Sequence, residues 1–276
     1  MKRSERLVDM TKYLMERPHN LISLPFFATR YGAAKSSISE DLTILKHTLA
    51  DNQDGILETV AGAAGGVRYI PFWGKKNVTQ YLQDLAKRIE SSERILAGGF
   101  VYLSDILGNP QDLDKIGKII ATRYAYSNID VVMTIETKGI SLAQAVARYL
   151  NVPFITARKR SKVTEGATVS VNYISSSLDR VSKMELPTRA LKENSNVLLV
   201  DDFMMAGGTL TGMRQLVKEF NSNIAGICVL CEADFDDEKV IEGHLSLIRI
   251  KDVNDKQKII VAEPGTLLGH TNFNRF

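Results

Sequence analysis

The sequence has few of the features that mark disulfide-rich, secreted or membrane proteins. Its 276 residues include only two cysteines, four histidines and one tryptophan, and the net charge is +3. Two cysteines cannot build a disulfide framework, and no apolar run approaches the ~18 residues needed to span a bilayer. The first residues, MKRSERLVDM, carry charges but no apolar core. The sequence therefore predicts a cytoplasmic protein without a secretory signal.

Cys228 and Cys231 form a C-x-x-C pair, a pattern that can mark a redox or metal site. The pair lies in an apolar stretch, 224–231 (IAGICVLC), with no second pair and no histidine nearby. We therefore expect two buried thiols. The chain does contain 44% apolar residues, enough to bury a substantial core, and its length is typical of about two domains.

The most informative segment is 197–209, which reads VLLVDDFMMAGGT. The apolar run 197–200 predicts a strand that is buried on both faces of a parallel sheet. Asp201 and Asp202 follow this run, and a loop of small residues leads into a helical pattern near Thr209. Because ligands of open α/β sheets lie beyond the carboxyl ends of the strands, the segment predicts a binding site.

The chemistry of this segment indicates the kind of ligand. Small side chains let backbone N–H groups close around an anion, and the following helix adds unpaired amides and a partial positive charge. Two carboxylates would repel a bare phosphate, but they suit a ligand that also carries hydroxyl groups. The direct interpretation is a sugar phosphate with vicinal hydroxyls, and the alternative is a buried strand followed by an ordinary glycine-containing turn.

A second strand, loop and helix pattern lies earlier in the chain. Residues 130–135 (DVVMTI) predict a buried strand, 136–139 (ETKG) a loop, and 140–150 an amphipathic helix. The densest basic cluster, 158–162 (RKRSK), precedes an alternating run at 168–174. Such a cluster can close over a polyanion as a lid, and a solvated surface loop is the alternative.

The segment 197–209 resembles the binding motif for 5-phosphoribosyl 1-pyrophosphate (PRPP) of the type I phosphoribosyltransferases. In that family an acidic pair holds the ribose hydroxyls and the small-residue loop holds the 5′-phosphate. The segments 136–139 and 158–162 resemble the family's pyrophosphate loop and flexible hood loop. Met205 departs from the pattern, because that position is often small or polar in the enzymes.

The resemblance implies a set of effector-binding residues. They are Asp201, Asp202, Met205, Ala206, Gly207, Gly208, Thr209, Thr137, Lys138, Gly139 and Lys159. It also implies that Mg²⁺ can accompany PRPP, although we expect no metal site made by side chains alone. Phe203, Met204 and Met205 are bulky and are predicted to crowd the position that a base would take.

The N-terminal part of the chain has a different pattern. Apolar periodicity predicts three helices followed by a hairpin, at residues 4–17, 24–31, 35–49, 56–60 and 67–70. Ser23 can cap the second helix, and Pro25 lies in its first turn, where proline is tolerated. This order predicts a winged helix-turn-helix, and the alternative is a generic helical cap domain.

A recognition helix presents short polar and cationic side chains where it meets base edges and phosphates. The third predicted helix begins with such residues, and the first helix begins with a basic run. The predicted DNA contacts are Lys2, Arg3, Arg6, Lys35, Ser36, Ser37, Ser39 and Arg68. Residues 1–70 nevertheless carry nine Lys or Arg against eight Asp or Glu, a weaker basic footprint than is usual for DNA-binding domains.

The two halves together predict a winged-helix DNA-binding domain over residues 1–74 and a phosphoribosyltransferase-like α/β domain over 75–276, with a parallel sheet and helices on both faces. This combination resembles the purine operon regulators of Gram-positive bacteria. The resemblance implies a homodimer that binds double-stranded DNA upstream of purine genes, with PRPP as effector and without transferase activity. Repression and activation are both open. The alternative is an active purine or pyrimidine phosphoribosyltransferase with an N-terminal helical domain.

Overall fold

The computed structural model describes residues 1–62, 64–96, 100–160, 164, 166–175, 180–234 and 241–275. Three helices and a hairpin come first: α1 (Arg3–Met15), α2 (Leu24–Tyr31), α3 (Lys35–Asp51), β1 (Ile56–Val60) and β2 (Gly66–Ile70). This is the predicted order. The predicted cap of α2 is also present, because Ser23 Oγ accepts a hydrogen bond of 3.3 Å from the Phe26 amide.

This N-terminal unit has a hydrophobic core of its own. Met10 and Leu14 of α1 meet Phe27 of α2 and Ile38 and Leu42 of α3, and each of these side chains is at most 5% exposed. Burying a large apolar side chain contributes roughly 1.5–3 kcal/mol. The apolar stripes that the sequence shows on these helices are therefore what holds the unit together.

Gly66 is required by packing inside this unit. A Cβ atom there would lie 2.2 Å from the carbonyl oxygen of Ile22, and Ile22 pairs with the neighbouring Val67 in an isolated β-bridge. Gly66 ends the loop 61–66, whose small residues could let a wing approach DNA. At least this glycine serves the fold, and Ala63 of the same loop lies outside the described residues.

The second part of the chain is an α/β unit. Its elements are α4 (Lys75–Ile89), β3 (Ile95–Leu96), β4 (Phe100–Val101), α5 (Ser104–Gly108), α6 (Pro110–Tyr124), β5 (Val131–Ile135), α7 (Gly139–Leu150), β6 (Phe154–Ala157), β7 (Thr168–Ser175), β8 (Arg180–Pro187), β9 (Asn196–Met204), α8 (Gly208–Glu219), β10 (Asn223–Ala233), β11 (Leu245–Asn254) and β12 (Ile259–Pro264). Six strands form one sheet in the order β12-β11-β10-β9-β5-β6. The sheet is parallel except for β12, which pairs antiparallel with β11 at the edge. The predicted fold class is therefore confirmed.

The sheet separates two hydrophobic layers. Helices α4, α6 and α7 cover one face, whereas α8 and the β7-β8 hairpin cover the other. Strand β9 shows the division directly, because Leu198 and Val200 belong to the first layer and Val197 and Leu199 to the second. All four side chains are fully buried, as predicted for a central parallel strand. Both cysteines of β10 are free and buried, also as predicted.

Strand β9 is longer than the sequence indicated. Its pairing with β5 stops at Leu199 and Met133, but its pairing with β10 continues as far as Met204. The prediction that the strand ends at Val200 is therefore wrong, because the neighbouring strand β10 extends it. The two aspartates lie in the last part of β9. In this part, the edge of β9 that faces β5 has no strand partner.

The two parts of the chain meet along α6. The Lys118 ammonium group pairs with the Asp54 carboxylate and donates a hydrogen bond of 3.0 Å to the Asp54 carbonyl oxygen. One turn further, Thr122 Oγ1 accepts a hydrogen bond of 2.9 Å from the Trp73 amide. None of the helices in the described ranges is long and apolar enough to cross a membrane.

Candidate effector site and DNA-binding surface

A cavity of about 490 Å³ opens beside the carboxyl end of β9. Several residues of its wall come from the predicted effector-binding set: Lys138, Asp202, Met205, Gly207, Gly208 and Thr209. Two segments that lie far apart in the sequence thus meet at the edge of the sheet where ligands of α/β proteins bind.

The loop after β9 leads directly into the first turn of α8. Gly207 has φ 93°, and a Cβ atom there would lie 2.4 Å from Ile241 Cγ2, so this position needs glycine. Ala206 is partly buried beside it. Helix α8 begins at Gly208, so the amides of Thr209 and Leu210 have no acceptor within the helix. Together with the helix dipole, these amides make the loop suitable for a phosphate.

Asp201 and Asp202 form a closely coupled acidic pair. Asp201 is 5% exposed, and its Oδ1 accepts a hydrogen bond of 3.0 Å from the Asp202 amide. Burial raises the pKa of Asp201, and the charge of Asp202 raises it further. Burial also raises the pKa of Asp202, and the positive charge of Lys138 opposes that rise.

Neither aspartate has an ion-pair partner within the described part of the chain. The Asp202 carboxylate is therefore available as an acceptor for ligand hydroxyl groups, which donate readily to carboxylates. Asp202 lines the cavity, whereas Asp201 lies beneath it. The structure thus places one carboxylate for direct contact and the other behind it.

The loop 136–139 packs against this pair. A Cβ atom on Gly139 would lie 2.1 Å from Thr134 Oγ1 and 3.0 Å from Asp201 Oδ1, so only glycine allows this approach. Thr137 and Lys138 are exposed, and the peptide bond between Glu136 and Thr137 is cis. The loop therefore presents its lysine next to the acidic pair.

The basic cluster at 158–162 is described only in part. Lys159 is exposed, and its positive charge partly opposes the raised pKa of Asp201. Arg160 is also exposed. Ser161 and Lys162 lie outside the described residues, so the lid predicted for the whole cluster stays a prediction.

Sequence reasoning missed one wall of the cavity. This wall is apolar and comes from the short strands β3 and β4 and the residues after them: Leu96, Phe100, Val101 and Leu103. Leu96 and Phe100 are 43% and 40% exposed. Their signal in the sequence is the pattern ILAGGFV, in which two apolar pairs flank a glycine-containing segment.

The predicted crowding of a base position has a mixed outcome. Phe203 and Met205 are partly buried and line the cavity. Met204 also contributes to the cavity wall, but it is only 2% exposed and belongs to the hydrophobic layer around α8. A cavity remains beside these side chains, so they narrow the space without filling it.

Most of the residues predicted to contact DNA at the start of α3 are exposed. Lys35, Ser36 and Ser39 are exposed, and Ser37 is partly buried. The residue before the helix is Ala34, which provides no side-chain cap. The first amides of α3 therefore lack a side-chain acceptor, and a phosphate could take that role.

The arginines predicted to contact DNA all pair with carboxylates. Arg3 and Arg6 each donate a hydrogen bond of 2.9 Å to Asp41, which is fully buried. Arg68 pairs with Glu58 at 2.8 Å, which places it on the side of the hairpin that faces the α/β unit, where Glu58 also accepts a hydrogen bond from Tyr126. Arg6 and Arg68 are thus primarily contacts within the fold. Lys2 is exposed just before α1.

Each of the two parts of the chain matches a known protein family. Residues 2–71 match the family described as bacterial purine repressor, N-terminal. Residues 103–263 match the phosphoribosyl transferase domain family. The fold of the second part resembles adenine phosphoribosyltransferase from Thermoanaerobacter pseudethanolicus, with a TM-score of 0.53, 23% identity, and coverage of 60% of this chain and 98% of that chain.

Two relatives are similar over nearly their whole length. The purine biosynthesis transcriptional repressor PurR of Bacillus subtilis (strain 168) is 52% identical over 97% of this chain and 94% of its own. The purine biosynthesis transcriptional activator PurR of Lactococcus lactis subsp. lactis (strain IL1403) is 45% identical over 97% of this chain and 98% of its own. The chain therefore belongs to the PurR family of purine biosynthesis transcriptional regulators.

Proposed function

We propose that the chain is a DNA-binding regulator of purine biosynthesis genes and that PRPP is its effector. The observation that carries this proposal is the meeting of three groups at one cavity: Asp202 of the acidic pair, the amide-rich start of α8 and Lys138. This combination suits a ribose that carries a phosphate at one end and a pyrophosphate at the other.

Each part of PRPP has a partner with matching chemistry. The ribose hydroxyls would donate to Asp202 and Asp201, and the 5′-phosphate would accept from the amides of 205–209 at the start of α8. The pyrophosphate would lie at Thr137, Lys138 and Gly139, with Lys159 closing from the other side. Mg²⁺ would accompany the pyrophosphate.

The start of α3 would provide the main contact with double-stranded DNA. Its exposed Lys35, Ser36 and Ser39 are short or cationic and lie where a recognition helix meets base edges and phosphates. A homodimer would bring two such helices to the two halves of a DNA site upstream of purine genes. We place this regulator in the cytoplasm. Sedimentation with and without DNA would test the dimer.

Binding of PRPP would act on DNA binding by linkage. PRPP can change the affinity for DNA only as far as its own affinity differs between the free and the DNA-bound protein. The sign of regulation stays open, because the similar proteins include a repressor and an activator.

A gel-shift titration on DNA from upstream of purine genes tests the proposal. We expect binding that weakens steeply with salt, because phosphate contacts release counterions, and a shift of the binding curve when PRPP is added. Unrelated DNA of equal length is the control for sequence preference. Binding that is identical with and without PRPP at every salt concentration would contradict the role of PRPP as effector.

A second measurement separates this proposal from transferase activity. The protein is incubated with PRPP and a radiolabelled purine base, and the products are separated. We expect no nucleotide, in keeping with the family of transcriptional regulators to which the chain belongs. Formation of nucleotide at the rate of an enzyme would show that the α/β unit is catalytic.

A further inference from the structure

Glu136 is a carboxylate in the loop proposed to receive a pyrophosphate, which is an unfavourable place for a negative charge. The residue is partly buried, and its side chain is 25% exposed. A like charge next to a polyanion weakens binding unless another group neutralises it. The contacts of Glu136 show which groups neutralise its charge and which segment it holds.

Both carboxylate oxygens of Glu136 contact the basic segment that follows β6. Oε1 accepts a hydrogen bond of 2.8 Å from the backbone amide of Lys159. Oε2 lies 3.2 Å from Nη1 of Arg158. The side chain therefore joins the loop that bears Lys138 to the segment that bears Lys159, and an adjacent guanidinium compensates its charge.

The backbone on either side of this contact is fixed. Glu136 donates its own amide to the carbonyl oxygen of Ala157 at 3.0 Å, and Arg158 exchanges two backbone hydrogen bonds with Glu185, at 2.9 and 2.7 Å. Lys159 is the first residue beyond this ladder, and its amide bonds to the Glu136 side chain. The backbone of Lys159 is thus held by one carboxylate of the loop that bears Lys138.

We propose that Glu136 is a positioning residue for the effector, which holds Lys159 in place to meet the pyrophosphate without touching the ligand itself. This inference rests on the proposed function, and it assigns a role to a residue that is absent from the predicted set of effector-binding residues. The energetic advantage is that a lysine whose backbone is already held loses less conformational freedom when the ligand arrives.

Binding measurements on variants test this role. Glu136→Ala removes both contacts, and we expect PRPP affinity to fall about tenfold, the usual order for losing a hydrogen bond with a charged group. Ribose 5-phosphate lacks the pyrophosphate, so its affinity should stay the same. Glu136→Gln keeps an oxygen that can accept from the Lys159 amide, and it should recover most of the PRPP affinity. Calorimetry gives both affinities, and Glu263→Ala, at an ion pair on β12, is the matched control.

A double-mutant cycle with Lys159→Ala tests whether Glu136 acts through that lysine. We expect Glu136→Ala to cost little further affinity once Lys159 is gone. The inference is overturned if PRPP affinity is unchanged in Glu136→Ala or if ribose 5-phosphate loses as much affinity as PRPP. It is also overturned if Glu136→Gln binds PRPP as weakly as Glu136→Ala. The same holds if the losses of PRPP affinity from Glu136→Ala and Lys159→Ala add in full in the double variant. If the wild-type chain binds no PRPP, the proposed function itself fails.

Discussion

At the proposed effector site, neither Lys138 nor Lys159 has an ion-pair partner among the described residues, and the same is true of Asp201 and Asp202. On the winged helix, by contrast, all three arginines predicted to contact DNA pair with carboxylates. The charges of the first surface remain available to a ligand, whereas much of the charge of the second already serves the fold.

This difference has an energetic side. Asp201 and Asp202 are buried close together, and the raised pKa of both shows that their charged forms are disfavoured in the folded chain without ligand. Asp41, also buried, receives two guanidinium groups. Buried aspartates thus destabilise the ligand-free protein at the acidic pair, whereas the buried Asp41 stabilises the winged helix. This difference distinguishes a binding site from a structural ion pair.

The largest effect is expected at Asp202. Asp202→Ala removes the carboxylate that lines the cavity and would meet the ribose hydroxyls, so we expect PRPP affinity to fall roughly 100-fold, as two charge-assisted hydrogen bonds would give. DNA binding without PRPP should be unchanged. Asp255→Ala, in an exposed turn, is the control. A variant at Asp202 that responds normally to PRPP would show that the site is assigned wrongly.

On the winged helix the comparison predicts two kinds of loss. Lys35→Ala should weaken DNA binding severalfold on any sequence and reduce the salt slope by about one, because Lys35 is free to meet a phosphate. Arg6→Ala should instead lower the stability of the unit by about 1–3 kcal/mol, because Asp41 loses a partner inside the protein. Thermal unfolding and salt-dependent gel shifts measure both. A normal unfolding temperature with a reduced salt slope for Arg6→Ala would restore that residue to the DNA surface.

The stability of the ligand-free protein should depend on pH through the acidic pair. A carboxyl whose pKa is higher in the folded than in the unfolded chain stabilises the fold below its unfolded value of about 3.9. That stabilisation is lost as the pH rises through the folded-state value. Asp201→Asn keeps an oxygen for the Asp202 amide and carries no charge, so it should unfold at a higher temperature than wild type at neutral pH.

The temperature difference between Asp201→Asn and wild type should shrink as the solution is acidified. Thermal unfolding without ligand at several pH values measures this, with Asp255→Asn as the control for an exposed carboxylate. If the temperature difference is the same at every pH, the charged form of Asp201 does not destabilise the fold as its burial implies.

The elements and the ligand edge of the sheet follow from local pattern. Apolar periodicity is a property of neighbouring residues, and it placed the three N-terminal helices and the central strand 197–200 correctly. The continuation of β9 to Met204 depends on the length of β10, a strand that comes later in the chain. Pairing with a later segment cannot be read from the strand's own sequence.

The same limit explains what was missed at the two surfaces. Arg3 meets Asp41 across 38 residues, and nothing near Arg3 in the sequence indicates that its charge is already used. Glu136 and Lys159 are 23 residues apart, so the contact between them also appears only in three dimensions. Residue type predicts which chemistry is present, whereas partner choice determines whether that chemistry is available to a ligand.

The smallest expected effect concerns the connection between the surfaces. Helix α7 begins at Gly139 in the effector site and packs closely on α6, where a Cβ atom on Gly117 would lie 2.9 Å from the Cβ of Ala145. The next residue, Lys118, is 8% exposed and pairs with Asp54 of the N-terminal unit. A displacement of α7 on ligand binding therefore has a short physical route to the winged helix.

Lys118→Met keeps the buried stem of this side chain and removes the ion pair. We expect both PRPP and DNA to bind nearly as before, but the factor by which PRPP changes DNA affinity should fall about threefold, within the range of coupling mutations. Lys115→Met is the control, because Lys115 is exposed on the same helix and lies over the Tyr81 ring. Gel shifts with and without PRPP give the factor for each variant. An unchanged factor in Lys118→Met would mean that the two surfaces communicate by another route, such as the neighbouring contact between Thr122 and Trp73.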